Sequence, residues 1–240
     1  MRHSERLGIG GIVLLTAICF LIFGAVRYNL SMTSSVIAHM PQTVIIDAGH
    51  GGEDGGATGI TGVSESMLNL EIALRLEQFM RFCGAQTVMV RITDTSIYSE
   101  GCNTYSEKKV SDLKNRVALA DRIRPAVLIS IHQNHFPEKQ FSGPQVFYAK
   151  SDGSRSIAQL TQSAMEIMLK PTSKRPCKAA QFVYLMENIQ CPGILVECGF
   201  LSNSREEALL QQSDYQKRII CAITGAFTQY TEKGEQNFEI

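Results

Sequence analysis

Short apolar runs alternate along the chain with longer stretches of mixed character. Thr43-Val44-Ile45-Ile46-Asp47, Thr87-Val88-Met89-Val90, Val127-Leu128-Ile129-Ser130-Ile131, Gln145-Val146-Phe147-Tyr148-Ala149 and Ile194-Leu195-Val196-Glu197-Cys198 are such runs. Their near-continuous hydrophobicity predicts strands buried on both faces. A further short strand is predicted over Phe182–Leu185. Ser64 can N-cap a helix running to about Cys83, with Leu68, Ile72, Leu76 and Phe79 near helical spacing and Gly84 just beyond. A helix from Leu113 to Ile123 stops near Pro125, and one from Ser156 to Lys170 stops at Pro171. Helices around Arg205–Leu210 and Tyr215–Tyr230 follow, and residues 95–111 read as a polar surface excursion. Strand and helix in alternation predict an α/β fold: a single domain with a twisted, mainly parallel sheet and helices on both faces.

The pattern changes ahead of this domain. Leu7 to Val26 is a run of twenty residues without a charged side chain, preceded by Arg2 and Arg6. As a helix it is about 30 Å long, enough to span a bilayer core. The basic start orients it with everything after Arg27 outside the cytoplasm. The chain therefore divides into a signal or transmembrane segment (1–26), a polar tether (27–42) and a folded domain (43–240). A cleaved signal peptide needs small residues at the cut site, which Val36-Ile37-Ala38 supplies poorly, so an uncleaved anchor is the favoured reading. Both readings export the domain.

Composition adds exclusions. The 240 residues carry 23 Lys+Arg against 23 Asp+Glu, without the basic surplus that wrapping nucleic acid requires. Residues 1–40 hold three Arg and one Glu, which leaves the exported part at net −2. An apolar content of 44% with 19% charged residues excludes a disordered chain. Six cysteines lie beyond the apolar run, but they show neither a Cys-x-x-Cys pair nor zinc-finger spacing. Cys198, within an apolar strand, reads as a buried free thiol.

Candidate chemistry collects where ligands bind in open α/β sheets, beyond the carboxyl ends of strands. His50 follows the first strand in Asp47-Ala48-Gly49-His50-Gly51-Gly52, His132 closes the third in Ser130-Ile131-His132-Gln133-Asn134, and Glu197 lies in the last. Glu65 opens the helix after the Gly-rich loop and can reach the same edge. Two imidazoles and a carboxylate suit zinc, whose open position takes a water. A second carboxylate can move the proton, so the set describes metal-assisted amide hydrolysis. Residue types alone do not say which Glu binds metal. The loop holds seven glycines between Gly49 and Gly62, but it lacks G-x-G-x-x-G and G-x-x-x-x-G-K-[ST] spacing, which argues against a nucleotide site. G-x-S-x-G is also absent. His135 reads as a loop residue.

These motifs, with Gly62-Val63-Ser64-Glu65…Asn69-Leu70 and Ile194-Leu-Val-Glu-Cys-Gly-Phe-Leu-Ser-Asn203, resemble those of the zinc-dependent N-acetylmuramoyl-L-alanine amidases of type 3. The match runs in family order over about residues 43–230, and Leu113-Lys-Asn-Arg116 and Ser142-Gly-Pro-Gln-Val-Phe-Tyr148 also fit. The resemblance implies that His50, Glu65 and His132 bind Zn2+ and that Glu197 is the catalytic carboxylate. It also implies peptidoglycan as substrate. Chain size and the apolar segment are most similar to the spore-cortex subgroup, whose product leads to muramic-δ-lactam. An exported enzyme facing the cell wall or cortex, held to the membrane by its N-terminal segment, is the resulting expectation. Two alternatives remain: a zinc carboxypeptidase-like enzyme using Arg91 or Arg116 for a substrate carboxylate, and a non-catalytic wall-binding homologue. The stretch from His135 to Gly143 is too short for an occluding helix, so control is expected through an activating partner protein or weak zinc affinity.

Overall fold

A computed structural model describes residues 42–236. The apolar run of residues 7–26 and the tether lie outside the described residues, and no helix among those described is long and apolar enough to cross a membrane.

Six strands form one sheet: β1 (Thr43–Ala48), β2 (Thr87–Met89), β3 (Ala126–Asn134), β4 (Gln145–Tyr148), β5 (Lys178–Ala179) and β6 (Gly193–Phe200), in the order β2-β1-β3-β6-β4-β5. The pairs β1/β2, β1/β3, β3/β6 and β4/β5 are parallel, and β4/β6 is antiparallel. The mainly parallel α/β sheet expected from the apolar runs is present. Six helices accompany it: α1 (Glu65–Phe82), α2 (Tyr105–Arg122), α3 (Ser154–Leu169), α4 (Tyr184–Asn188), α5 (Ser204–Leu210) and α6 (Ser213–Gln236).

Strand alternation divides the core in two. Val44, Ile46, Ile129, Ile131, Val146, Ile194 and Val196 point to one face. They pack there against Leu68, Ile72 and Leu76 of α1, Ile157 and Met165 of α3, and Ile219, Ile223 and Phe227 of α6. Ile45, Leu128 and Leu195 point to the other face, against Ala120 of α2 and Leu185 and Met186 of α4. Cys198 is fully buried on the first face, opposite Glu197 in the alternation, as a free thiol.

Two elements differ from the expectation. The helix predicted from Leu113 begins at Tyr105. Its first turns carry few apolar residues, and its buried positions, Asp112, Arg116 and Ala120, are mostly polar, so hydrophobic periodicity gives no sign of them. The start is instead a capping box: the Thr104 hydroxyl accepts from the Glu107 N–H at 3.2 Å, and the Glu107 carboxylate accepts from the Thr104 N–H at 3.0 Å. The strand predicted over Phe182–Leu185 is a turn into α4, because Phe182 takes a positive φ of 62° that ends extension. The edge strand lies earlier, at Lys178–Ala179.

Replacing Thr104 with Ala removes half of that box. The expected cost is about 1 kcal/mol, or about 2–4 °C in melting temperature for a domain of this size, measured by thermal unfolding.

Candidate active site

The carboxyl ends of β1, β3 and β6 meet at one edge of the sheet. β1 ends at Ala48, and the chain turns through Gly49 into His50, which takes a positive φ of 62°. Non-glycine residues rarely adopt that conformation unless the surroundings impose it. Here two buried arginines do so. Arg116 of α2 forms an ion pair with Asp47 and donates to the carbonyls of Ala48 at 3.0 Å and His50 at 2.8 Å. Its remaining N–H groups go to Asp112 at 2.7 and 3.3 Å. Arg91 donates to the carbonyls of Ala48 (2.8 Å), Gly49 (3.0 Å), Ser66 (2.8 Å) and Thr93 (2.9 Å). All five N–H groups of Arg116 are thereby engaged, and both arginines are buried. Neither is free to receive a substrate carboxylate, so neither can play the part that the carboxypeptidase alternative gives it.

His50 and His132 come together with ring centroids 5.0 Å apart. Glu65, at the first turn of α1, lies between them. Its Oε1 is 3.3 Å from His50 Nε2 and 3.0 Å from His132 Nδ1, and it also accepts from the Gln133 N–H at 3.1 Å. Its Oε2 accepts from the Ala57 N–H at 2.9 Å. Asn69, one helical turn on, bridges Glu65 Oε1 (3.4 Å) and the Gly49 carbonyl (3.2 Å). Gly49 has to be glycine, because a methyl group there would overlap the His132 ring. Gly56 likewise has to be bare beside Glu65 and His50.

Donor atoms of His50, Glu65 and His132 all lie within 4.8 Å of one another, a set that can hold a metal ion. Two imidazoles and one carboxylate with a fourth position open are a donor set that zinc accepts. Asp54 accepts from His50 Nδ1 at 3.0 Å and is itself 3.2 Å from Lys109 Nζ. That carboxylate fixes the ring and directs its other nitrogen toward Glu65. Burial opposes charge on His50, but its hydrogen bonds to Asp54 and Glu65 outweigh burial and raise the imidazole to about 9. Burial likewise opposes the Glu65 charge, yet the two imidazoles hold that carboxyl well below the usual range.

Glu197 is placed by register. It pairs with His132 across β3/β6, one step before the ladder shifts at Asn134↔Phe200. Its Oε2 is shielded from solvent and has no hydrogen-bond partner among the described residues. Burial raises its carboxyl to about 7; His132 opposes that rise and Glu65 adds to it. The structure thus brings together all four side chains singled out in the sequence, and gives the two glutamates different surroundings. Glu65 sits between imidazoles and Glu197 is unpartnered. His135 is exposed beyond the end of β3. Asp54 and the two arginines were not singled out for these positions. An acid four residues after His50 was the one available signal for Asp54.

Residues 44–229 match the family described as N-acetylmuramoyl-L-alanine amidase. The chain belongs to that family. The germination-specific N-acetylmuramoyl-L-alanine amidase of Bacillus subtilis (strain 168) is 37% identical over 194 residues, 80% of this chain and 81% of the relative. The CwlD amidase from Clostridioides difficile, solved in complex with the GerS lipoprotein, shares 34% identity and a TM-score of 0.75 over 79% of this chain and 98% of its own. An N-acetylmuramoyl-L-alanine amidase from Clostridium difficile 630 shares 31% identity and a TM-score of 0.69 over 80% of this chain and 97% of its own. The amidase family expected from the four motifs is the one found.

The amidase edge depends on the Arg116–Asp47 pair. Arg116→Met leaves a buried carboxylate without its cation and is expected to cost about 3–5 kcal/mol in urea unfolding. Arg124→Met, which loosens an exposed contact of 3.9 Å to Asp121, should change stability by less than about 1 kcal/mol.

Proposed function

We propose that this amidase cuts the amide joining the lactyl group of N-acetylmuramic acid to L-alanine in peptidoglycan, with Zn2+ as its metal and the spore cortex as its site of action. The observation that carries the reading is the convergence of His50, Glu65, His132 and Glu197 on one sheet edge, in family order. His50, Glu65 and His132 would hold the zinc. A bound zinc ion in such a site polarises a carbonyl and lowers the pKa of a bound water to about 7.

The chain's own groups supply the rest. Asp54, at 3.0 Å from Nδ1, keeps the His50 ring oriented. Glu197 takes the proton of the attacking water at its carboxylate and returns it to the departing L-alanine nitrogen. Burial, which favours the neutral carboxyl, helps Glu197 to accept the proton. The product is a muramic acid free of its stem peptide, the form that deacetylation and cyclisation convert to muramic-δ-lactam. The germination-specific name of the Bacillus subtilis relative supports a role in the spore.

The charge-free run of residues 7–26 supports export with retention at the membrane, facing the wall. Control by a partner protein is supported by the connection between β3 and β4, which contains no helix that could cover the site. The CwlD amidase solved in complex with a lipoprotein supplies a precedent.

With the full chain, zinc and purified muropeptides, mass spectrometry should show intact stem peptides released. Chelation should stop the release, and added zinc should restore it. Glu197→Gln should lower the rate by about 10²–10⁴-fold with zinc content unchanged. Near wild-type release by that variant would contradict the role assigned to Glu197.

A further inference from the structure

Four arginines among the described residues are buried or half-buried: Arg75, Arg91, Arg116 and Arg175. The first three each have a carboxylate within 4.0 Å. Arg175 has none within that distance among the described residues, although it lies at the active-site edge. Its position follows from a row of side chains running across the sheet. Gly49 donates its N–H to Ile131 and abuts the His132 ring. His132 pairs in register with Glu197, and Glu197 pairs with Gln145 on β4. Directly opposed residues point to the same face, so His132, Glu197 and Gln145 form one line. Arg175 is the next member, with Nη1 3.3 Å from Gln145 Oε1.

Its guanidinium is held in place. Nε donates to the Ser142 carbonyl at 2.9 Å, and the group lies over the rings of Phe200, at 4.8 Å, and Phe141, at 5.6 Å. Both contacts fix the plane and neither neutralises the charge. Glu206, which attracts Arg175, directs its two oxygens to the N–H groups of Gly143 (2.7 Å) and Phe200 (2.9 Å) instead. Nη2 donates to no group among the described residues. A half-buried, oriented and unpaired guanidinium is a fork for a carboxylate.

We propose that Arg175 is a specificity-determining residue that receives a free carboxylate of the stem peptide while the amide lies at His132 and Glu197. This rests on the amidase reading above. The row sets the direction: the muramic acid lies on the His50 side, and the acidic peptide runs along β6 and β4 toward Arg175. Stacking over Phe200 uses the charge as well, so a loss confined to the acidic substrate is what distinguishes recognition from a purely structural role.

The test uses the full chain with zinc and two pairs of synthetic muramoyl peptides. In one pair the free carboxylate of the second residue is kept or converted to a carboxamide, and in the other pair that of the third residue. The wild type should prefer one acidic member by about ten- to hundredfold in kcat/KM, mostly through KM, and the pair showing it identifies the carboxylate. Arg175→Gln should erase the preference by losing activity only on that acidic substrate, with Arg175→Lys restoring part of it. No preference in either pair for the wild type, or an equal loss on acid and amide for Arg175→Gln, overturns the proposal even if stem peptides are released intact. Release of single amino acids by the wild type would overturn the amidase reading and this inference with it.

Discussion

The active-site edge hangs on the ion pair between Arg116 and Asp47, because that pair holds the guanidinium that braces the carbonyls of Ala48 and His50 where the chain leaves β1. Where β1 ends, three successive carbonyls leave the ladder, and buried carbonyls need partners. Arg116 and Arg91 supply donors to all three, at Ala48, Gly49 and His50. Asp47 holds the Arg116 guanidinium and in turn accepts from Ser130 at 2.6 Å, which ties β1 to β3 at this level. The positive φ of His50 is affordable only in such a brace, and it turns the ring back toward α1.

From that point each polar group positions the next. Asp54 and Glu65 address the two nitrogens of His50. Glu65 also receives His132 and the Gln133 N–H, so the first turn of α1, the end of β1 and the end of β3 share one carboxylate. The parallel register then sets Glu197 beside His132 without a direct partner of its own. Glu65 is satisfied by donors and flanked by imidazoles, surroundings that suit the metal-binding part proposed for it. Glu197 is half-buried with its Oε2 shielded and unpartnered among the described residues, surroundings that suit the proton transfer proposed for it. The same row continues to Gln145 and Arg175, so the proposed sites for metal, proton and peptide lie along one line of side chains.

Much of this was legible beforehand because the signals were of kinds that sequence carries well. Apolar runs marked strands buried on both faces, and polar residues at their carboxyl ends marked the edge where His50, His132 and Glu197 lie. The order of the motifs supplied the family. Other features leave no such trace. Arg91 and Arg116 act on backbone carbonyls, and a guanidinium bound for a carbonyl looks in sequence like one bound for substrate. The first turns of α2 were missed because that helix turns Asp112 and Arg116 inward rather than an apolar stripe. Phe182-Val183-Tyr184-Leu185 has strand-like composition, yet one positive φ turns it into a helix. Residue type alone did not separate the two glutamates; the resemblance assigned Glu65 to the metal and Glu197 to the proton, and the fold adds that Glu65 lies between imidazoles while Glu197 Oε2 has no partner among the described residues.

The central claim is that one braced edge forms a zinc site from His50, Glu65 and His132. Anomalous diffraction at the zinc edge from crystals of the zinc-loaded protein tests it most directly. The account predicts a single strong peak within about 2.0–2.2 Å of one donor atom from each of these three residues, with Glu197 near the ion but not bound to it. A peak at the cysteines, or a site that leaves out either histidine, would contradict it.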